Sequence, residues 1–173
     1  MIVVGVDGSP GSRAALRWAL AEARLRHTPL RVVSAWTFPY ATVAYGMAAS
    51  IDADQITREL EREAQSLLDE LLAEVGTDAE GVSVEKVIVE GPAPRVLLEQ
   101  AEQAELLVVG SRGLGGFKGL LLGSVSQQCI HHARCPVLVV PSPHEVESAG
   151  QPGARAASAA PGPEEEPVLL HDP

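Results

Sequence analysis

The sequence predicts an α/β fold in which helices cover both faces of a doubly wound, five-stranded parallel sheet. Apolar runs typical of strands alternate with segments of helical periodicity along residues 1–141, and strands joined by helical crossovers form parallel sheets with right-handed connections. The pattern stops after Pro141, because residues 142–173 lack periodicity of either kind. We expect one domain, 1–141, with the strand order 3-2-1-4-5 that is common in such sheets, and an appended tail, 142–173.

The first strand, helix and strand follow closely on one another. Residues 2–6 are continuously apolar, which suits a strand buried on both faces. Ser9 and Pro10 are favourable residues for the start of a helix, which extends to about Arg26. The second strand is predicted at Leu30–Trp36.

The strongest helical stripe comes after a long connection, residues 37–55, which holds Tyr40 and Tyr45. Connections that exceed about two to six residues are typical of lids, binding loops or disorder. The apolar residues of the helix recur at steps of three and four: Ile56, Leu60, Ala64, Leu67, Leu68, Leu71, Leu72 and Val75. Gly76 is placed to end this helix.

The second half of the domain repeats the alternation. Residues 82–89 form the third strand, and Pro94 starts a helix that extends to about residue 103. The fourth strand is predicted at 106–109. A helix at Ser124–His132 and a last strand, Val137, Leu138, Val139 and Val140, complete the domain. We expect Trp18 and Trp36 to pack in or near its core.

The tail is predicted to be disordered. Residues 142–173 are rich in Pro, Ala, Gly and Glu and have six acidic residues against Arg155, a net charge of −5 within the −10 of the whole chain. Such a segment buries too little apolar surface to form a core. The alternative is that its one apolar patch, Val168 to Leu170, docks on the domain.

Composition excludes several classes of function. A pI near 4.9, two lysines and scattered arginines leave no basic stripe for nucleic acid. The N-terminal apolar run ends at Asp7, too short for an export or membrane-spanning segment, so we expect a cytoplasmic protein. Cys129 and Cys135 match no zinc, haem or thioredoxin spacing. We interpret them as reduced, largely buried thiols, with a redox role as the alternative.

The predicted topology places a ligand crevice where the first and fourth strands end, at Asp7 and Gly110. A glycine-rich segment from Val109 to Ser126 follows the fourth strand. Glycines allow a close backbone approach to a ligand, and the start of the next helix attracts anions. The simpler alternative is a flexible surface loop in which Ser124 caps the helix.

Two common phosphate motifs are absent. The P-loop pattern needs a Gly-Lys pair, and this chain has none. The segment after the first strand, residues 5–11, has the spacing G-x2-G-x2-G, which differs from the dinucleotide pattern G-x-G-x-x-G. NAD and FAD are therefore disfavoured.

The spacing of Gly110, Gly113, Gly123 and Ser124 matches G-x2-G-x9-G-[ST] at every position. With residues 5–9 and 135–141, it resembles the nucleotide-binding branch of the universal stress protein family. The resemblance implies ATP, with Mg²⁺, at the switch point and homodimers paired through the last strand.

Carried over residue by residue, the resemblance makes Asp7 the acidic contact to the ribose or to a phosphate-bound Mg²⁺. It places Gly5, Val6 and Ala35 around the adenine, while Ser126 keeps a hydroxyl where threonine is also common. The implied nucleotide site comprises Gly5, Val6, Asp7, Ala35, Val109, Gly110, Ser111, Arg112, Gly113, Leu114, Gly115, Gly116, Gly123, Ser124, Val125 and Ser126. The alternative for Asp7 is a turn or capping residue.

No catalytic arrangement can be assembled from the sequence around this loop. We interpret the adjacent His131 and His132 as residues that favour a helix C-terminus rather than as metal ligands. The leading hypothesis is an ATP-binding stress-response or signalling protein. The alternatives are a weak ATPase or an adenylyl- or phosphoryl-transfer enzyme at the same site, and a dimeric scaffold that binds no nucleotide.

Overall fold

Five parallel strands form one twisted sheet in the computed structural model, which describes residues 1–39, 53–115 and 121–142. In chain order the strands are β1 (Ile2–Gly5), β2 (Leu30–Trp36), β3 (Val84–Glu90), β4 (Leu106–Gly110) and β5 (Val137–Val140). The spatial order is β3-β2-β1-β4-β5. The predicted fold class and strand order are confirmed.

Four α-helices connect these strands within the described residues: α1 (Pro10–Arg26), α2 (Ala53–Val75), α3 (Ala93–Gln100) and α4 (Ser124–His132). A short 3-10 helix, Gly76–Ala79, follows α2. The differences from prediction lie at the ends of elements: β1 stops one residue earlier, β3 starts two residues later, and α3 ends at Gln100. Element ends are where the local signal is weakest, because terminal residues make fewer repeating hydrogen bonds.

Each face of the sheet has its own apolar core. On one face Leu16 and Leu20 belong to α1, which packs on β1 and β4, and Leu68 and Leu71 belong to α2, which packs on β2 and β3. All four are almost fully buried. The other core contains these residues of the strands, α3 and α4: Val3, Val33, Val96, Leu97, Ala101, Leu107, Val109 and Cys129. Full burial of a Leu or Val side chain contributes about 1.5–3 kcal/mol, so both layers hold the sheet in place.

Local signals explain where the long helices begin and end. The Ser9 side chain accepts a hydrogen bond from the Ser12 amide and caps α1, and His27 ends α1 with a φ of 51°. Gly76 ends α2 with a φ of +40°, a conformation that glycine adopts without strain. The predicted start of α1 and stop of α2 are confirmed.

One expectation about a side chain needs correction, and several predicted features lie outside the described residues. Trp18 is 37% exposed, because it lies on the face of α1 that points away from the sheet; its expected packing near the core is wrong. The described residues leave out most of the 37–55 connection, all of residues 143–173, and Gly116 of the predicted site. Among the described helices, none has the length and apolarity to span a membrane.

Candidate functional site

A cleft of about 400 Å³ opens at the carboxyl edge of the sheet, where β1 and β4 lie side by side. Helices leave these two strands toward opposite faces, so the chain diverges and leaves a crevice. The cleft is lined by Gly5, Val6, Asp7, Ser12, Val33, Ala35, Ala93, Leu97, Val109, Gly110, Arg112, Gly113, Leu114, Gly115, Leu122, Gly123, Ser124, Val125, Ser126 and Gln127.

Nearly all residues of the predicted site therefore lie around one cleft. Ser111 lies beneath it, 4% exposed, and its carbonyl accepts hydrogen bonds from the Gly123 amide at 2.7 Å and the Ser126 hydroxyl at 3.0 Å. Gly116 lies outside the described residues. Ser111 supports the wall, because it joins the two ends of the glycine-rich segment.

The cleft also contains residues that the sequence did not single out. Ala93 and Leu97 come from α3, Val33 from the interior of β2, and Ser12 from α1. They are apolar or small residues without a motif. The packing of α3 against β1 and β2 brings Ala93 and Leu97 to the opening. The remaining two, Leu122 and Gln127, flank the residues of the motif.

Asp7 holds the glycine-rich segment against the end of β1. Its Oδ1 accepts a hydrogen bond from the Ser9 amide at 3.0 Å, and its Oδ2 accepts one from the Leu114 amide at 3.1 Å. The first contact is the turn role that was the alternative for this residue. The second joins two segments that are 107 residues apart, so Asp7 shapes the mouth of the cleft.

Three glycines are required by close contacts within the protein. A Cβ on Gly110 would lie 2.7 Å from the carbonyl carbon of Gly11, and one on Gly11 would lie 2.8 Å from the Arg112 oxygen. A Cβ on Gly113 would overlap the Asp7 carboxylate. Because these neighbours are backbone atoms or a hydrogen-bonded carboxylate, they cannot move aside cheaply.

Gly123 differs from these three glycines. A Cβ there would lie 3.4 Å from the Arg112 Cα and 3.5 Å from the Ser111 oxygen, which are near-ordinary contacts. Gly123 is also the N-cap residue of α4, so the interpretation of Ser124 as the cap is wrong. Packing within the described residues gives little reason for a glycine here, whereas close approach of a ligand would.

The N-terminus of α4 faces the cleft without a capping side chain from the described residues. The Ser126 hydroxyl lies 2.9 Å from the Gly123 carbonyl and 3.0 Å from the Ser111 carbonyl, so it points back into the loop. The amides of the first turn, Ser124 to Ser126, have no acceptor within the helix. Uncapped first-turn amides favour an anion.

The two ends of the cleft differ in polarity. One end is apolar, with Val33, Ala35, Leu97 and Val109. The other is formed by the glycine-rich segment and the start of α4. Asp7 and Arg112 are the charged side chains among the described lining residues. Such a cleft suits a ligand with an apolar ring at one end and an anionic group at the other.

The cysteines and histidines lie apart from this cleft. Cys129 is fully buried, and burial raises the pKa of its thiol to about 11; burial also raises the pKa of the Cys135 thiol. A raised pKa disfavours the reactive thiolate, so the structure favours the reduced, inert interpretation. His131 and His132 occupy the last turn of α4 as expected, and the described residues hold no cluster of three metal-ligating side chains.

Comparison with known proteins decides the family. The family model described as "Universal stress protein family" matches residues 1–141. The chain belongs to the universal stress protein family. The matched residues have the same limits as the domain predicted from the sequence.

Two curated relatives are proteins of Mycobacterium tuberculosis. Universal stress protein Rv2005c of Mycobacterium tuberculosis is 38% identical over 138 residues, which are 80% of this chain and 44% of the relative. Universal stress protein Rv2623 of the same organism is 33% identical over 172 residues, 98% of this chain and 52% of the relative. The chain thus spans about half the length of the curated relatives that it matches.

Solved structures share the fold. A universal stress protein UspA from Lactobacillus plantarum has a TM-score of 0.66 at 20% identity, covering 80% of this chain and 95% of that one. A universal stress protein solved in complex with cAMP has a TM-score of 0.52 at 29% identity, covering 82% of this chain and 95% of that one. Both likenesses extend over the domain rather than a fragment of it.

Proposed function

We propose that this chain is a cytoplasmic stress-response or signalling protein that binds ATP in the cleft between β1 and β4. The observation that carries the proposal is the convergence on one 400 Å³ cleft of the glycine motif and of residues from β1, β2 and the start of α4. The cleft is within the size range of small-molecule pockets, about 300–1,000 Å³. The relative with cAMP bound supports an adenine nucleotide as the ligand class.

The two ends of the cleft suggest the orientation of the nucleotide. Adenine would occupy the apolar end, near Val6, Ala35 and Val109, where its ring is removed from water. The phosphates would meet the Gly113–Gly115 backbone and the first turn of α4. This orientation accounts for Gly123, because a side chain there would project toward the phosphates while leaving the protein's own packing nearly unchanged.

Asp7 fits a contact to the ribose or to Mg²⁺ held by the phosphates. Each carboxylate oxygen accepts one backbone hydrogen bond and retains a further lone pair for a ligand. Mg²⁺ in nucleotide sites commonly uses one or two carboxylates together with phosphate oxygens and water. Asp7 would thus carry two roles, positioning Leu114 and contacting the ligand.

We propose binding rather than catalysis as the main activity. Among the described lining residues there is no histidine, cysteine or lysine, and Asp7 is already engaged in two backbone contacts. A weak ATPase or a transfer enzyme at the same site stays the alternative, to be distinguished by phosphate release in the presence of Mg-ATP.

Homodimerisation through β5 is the second part of the proposal. All four β5 residues are half-buried, and β5 pairs with β4 on one side only among the described strands. An apolar edge with unpaired backbone groups favours pairing with another chain. A two-fold pairing would continue the sheet across two subunits.

The decisive test of the ligand is mass spectrometry of small molecules released from protein purified without added nucleotide. We expect adenine nucleotide at close to one per chain, or micromolar to submicromolar ATP binding by calorimetry if the nucleotide is lost in purification. Absence of bound nucleotide together with no titratable binding of ATP, ADP or cAMP would favour the scaffold hypothesis.

The dimer is tested by light scattering on a double variant, Leu138→Lys with Val139→Pro, which adds a charge to the edge and removes a backbone donor. We expect a monomer from the variant and a dimer from the unsubstituted chain. A dimer from both would place the contact elsewhere.

A further inference from the structure

The outer face of α1 carries an apolar row that the domain leaves partly exposed. Ala14, Trp18, Ala21 and Leu25 are spaced by three or four residues, so they line one side of the helix. Trp18 is 37% exposed and Leu25 is 74% exposed. Single exposed apolar residues are common, but an aligned tryptophan and leucine form a surface that suits a partner.

A basic row runs beside this apolar row. Arg13 pairs with Glu74, and Arg24 donates to the carbonyls of Thr77 and Asp78. Arg17 lies between them and makes no ion pair with any described residue. The helix holds four arginines and one glutamate, a net charge of +3, in a chain with a net charge of −10.

We propose that residues 164–170 of this chain dock on the outer face of α1. Their sequence is Glu-Glu-Glu-Pro-Val-Leu-Leu, three acidic residues beside an apolar patch. This order complements the basic row and the apolar row of α1 in both charge and hydropathy. The inference does not rest on nucleotide binding.

The intervening chain is long enough for this contact. Parallel strands end at the carboxyl edge of the sheet, so β5 ends at the edge where α1 begins. Residues 143–163 lie between β5 and residues 164–170, and a random-coil linker of this length has a root-mean-square span of about 25 Å. A helix with its side chains is about 10–12 Å across, so the segment can reach around α1 without strain.

Other surfaces fit this segment less well. The groove between α3 and α4 has a volume of about 340 Å³, and its lining balances Glu99 and Glu102 with Arg95 and Arg134. Its apolar lining residues are Pro94 and Leu98, so it offers neither a net positive charge nor an apolar row. The edge of β5 is apolar but lacks a row of arginines. Among these described surfaces, the outer face of α1 carries both an apolar row and a row of arginines.

The test uses the full chain, in which Trp18 and Trp36 are the two tryptophans. We compare the unsubstituted chain with a Leu169→Asp, Leu170→Asp variant, following the indole resonances by NMR and acrylamide quenching of fluorescence. A Trp36→Phe variant assigns the Trp18 signals. Ala156→Asp with Ala157→Asp is the control, because it adds the same charge to the tail outside the docking residues.

Docking predicts that the Leu169 and Leu170 substitutions shift the Trp18 indole resonance and raise its quenching by about two-fold, as expected for an indole released from an apolar contact. The control variant leaves both signals unchanged. Arg17→Glu weakens the contact in the same way, and Arg17→Glu combined with Glu165→Lys restores it. The restoration distinguishes a direct charge pairing from a general loss of structure.

Two results would overturn the proposal. One is a Trp18 environment that is the same in the unsubstituted chain and in the Leu169, Leu170 variant. The other is protection of Trp18 that rises with protein concentration together with the sedimentation coefficient, which would make a second copy of this chain the occupant.

Discussion

Helices α1 and α4 begin at the same edge of the sheet, but their first turns are completed in different ways. Ser9 caps α1 with its side chain, and its hydroxyl also lies 3.4 Å from the Arg112 carbonyl. At α4 the N-cap is Gly123, and no described side chain satisfies the first-turn amides. The same two residue types, glycine and serine, thus stabilise the fold at one helix and leave donors facing the cleft at the other.

The contrast extends to the glycines of the two turns. Gly11 and Gly110 bring the backbones of α1 and β4 into contact, whereas Gly123 has space for a Cβ. A glycine of the motif can therefore be required by close packing within the protein or by the close approach of a ligand. Substitutions that measure stability and binding separately distinguish these roles.

The largest effect is expected from Gly110→Ala. Its Cβ would lie 2.7 and 2.9 Å from backbone atoms of Gly11 and Ser12, which cannot move without shifting α1. We expect a loss of about 3 kcal/mol in the free energy of unfolding, measured with urea. Gly115→Ala, with no atom within 4 Å of its added Cβ, is the matched control; equal losses in both variants would contradict the packing argument.

Gly123→Val is expected to reduce ATP binding much more than stability, in contrast to Gly110→Ala. The variant should remain folded and lose about 1 kcal/mol of stability in urea, the usual cost of an apolar residue at an N-cap, because the nearest neighbours of the Cβ are 3.4 Å away or more. Its ATP affinity should fall at least about 100-fold, or about 2.7 kcal/mol, by calorimetry. Retention of full affinity would show that phosphate does not approach this position.

Asp7→Ala is expected to act on both stability and binding. Loss of the hydrogen bonds to the Ser9 and Leu114 amides should lower the free energy of unfolding by about 1–2 kcal/mol. Affinity for Mg-ATP should fall more than affinity for adenosine, because a metal-mediated contact touches only the phosphorylated ligand. Equal losses for the two ligands would remove the metal role and leave Asp7 as a positioning residue.

The smallest effects are expected from Ser9→Ala and Ser124→Ala, which are compared with each other. Removal of the α1 cap should cost about 1 kcal/mol of stability, with a shift in thermal midpoint. Ser124 is the first helical residue rather than the cap, so Ser124→Ala should leave the midpoint unchanged and weaken ATP several-fold. A reversed pattern would mean that the roles of the two helix starts are exchanged.

Most of the fold was predictable from short-range patterns. The bounds of α1, β2, α4 and β5 agree with the structure, because capping residues and apolar runs mark their ends. The limits of β3 and α3 were less accurate. Val82 and Ser83 belong to the predicted strand but lie outside the residues that pair with β2, because pairing depends on where the neighbouring strand begins.

The candidate site was predictable where a motif carried it. Glycine spacing led to one wall of the cleft, and the strand order led to Asp7 on the other. Ala93, Leu97 and Val33 were missed, because an alanine, a leucine and a valine look the same in a core and in a ligand pocket. Trp18 was placed wrongly for a related reason: its spacing within α1 does not show which side of the apolar stripe meets the sheet.

By itself the sequence determined the order of the elements and the membership of the universal stress protein family, since each depends on residues that are neighbours in the chain or on a fixed spacing. Only the tertiary structure decided which glycines are held by packing, that Asp7 bonds to a residue 107 positions away, and which face of α1 remains exposed. These properties depend on distances between segments that are remote in sequence, and no local pattern encodes such distances.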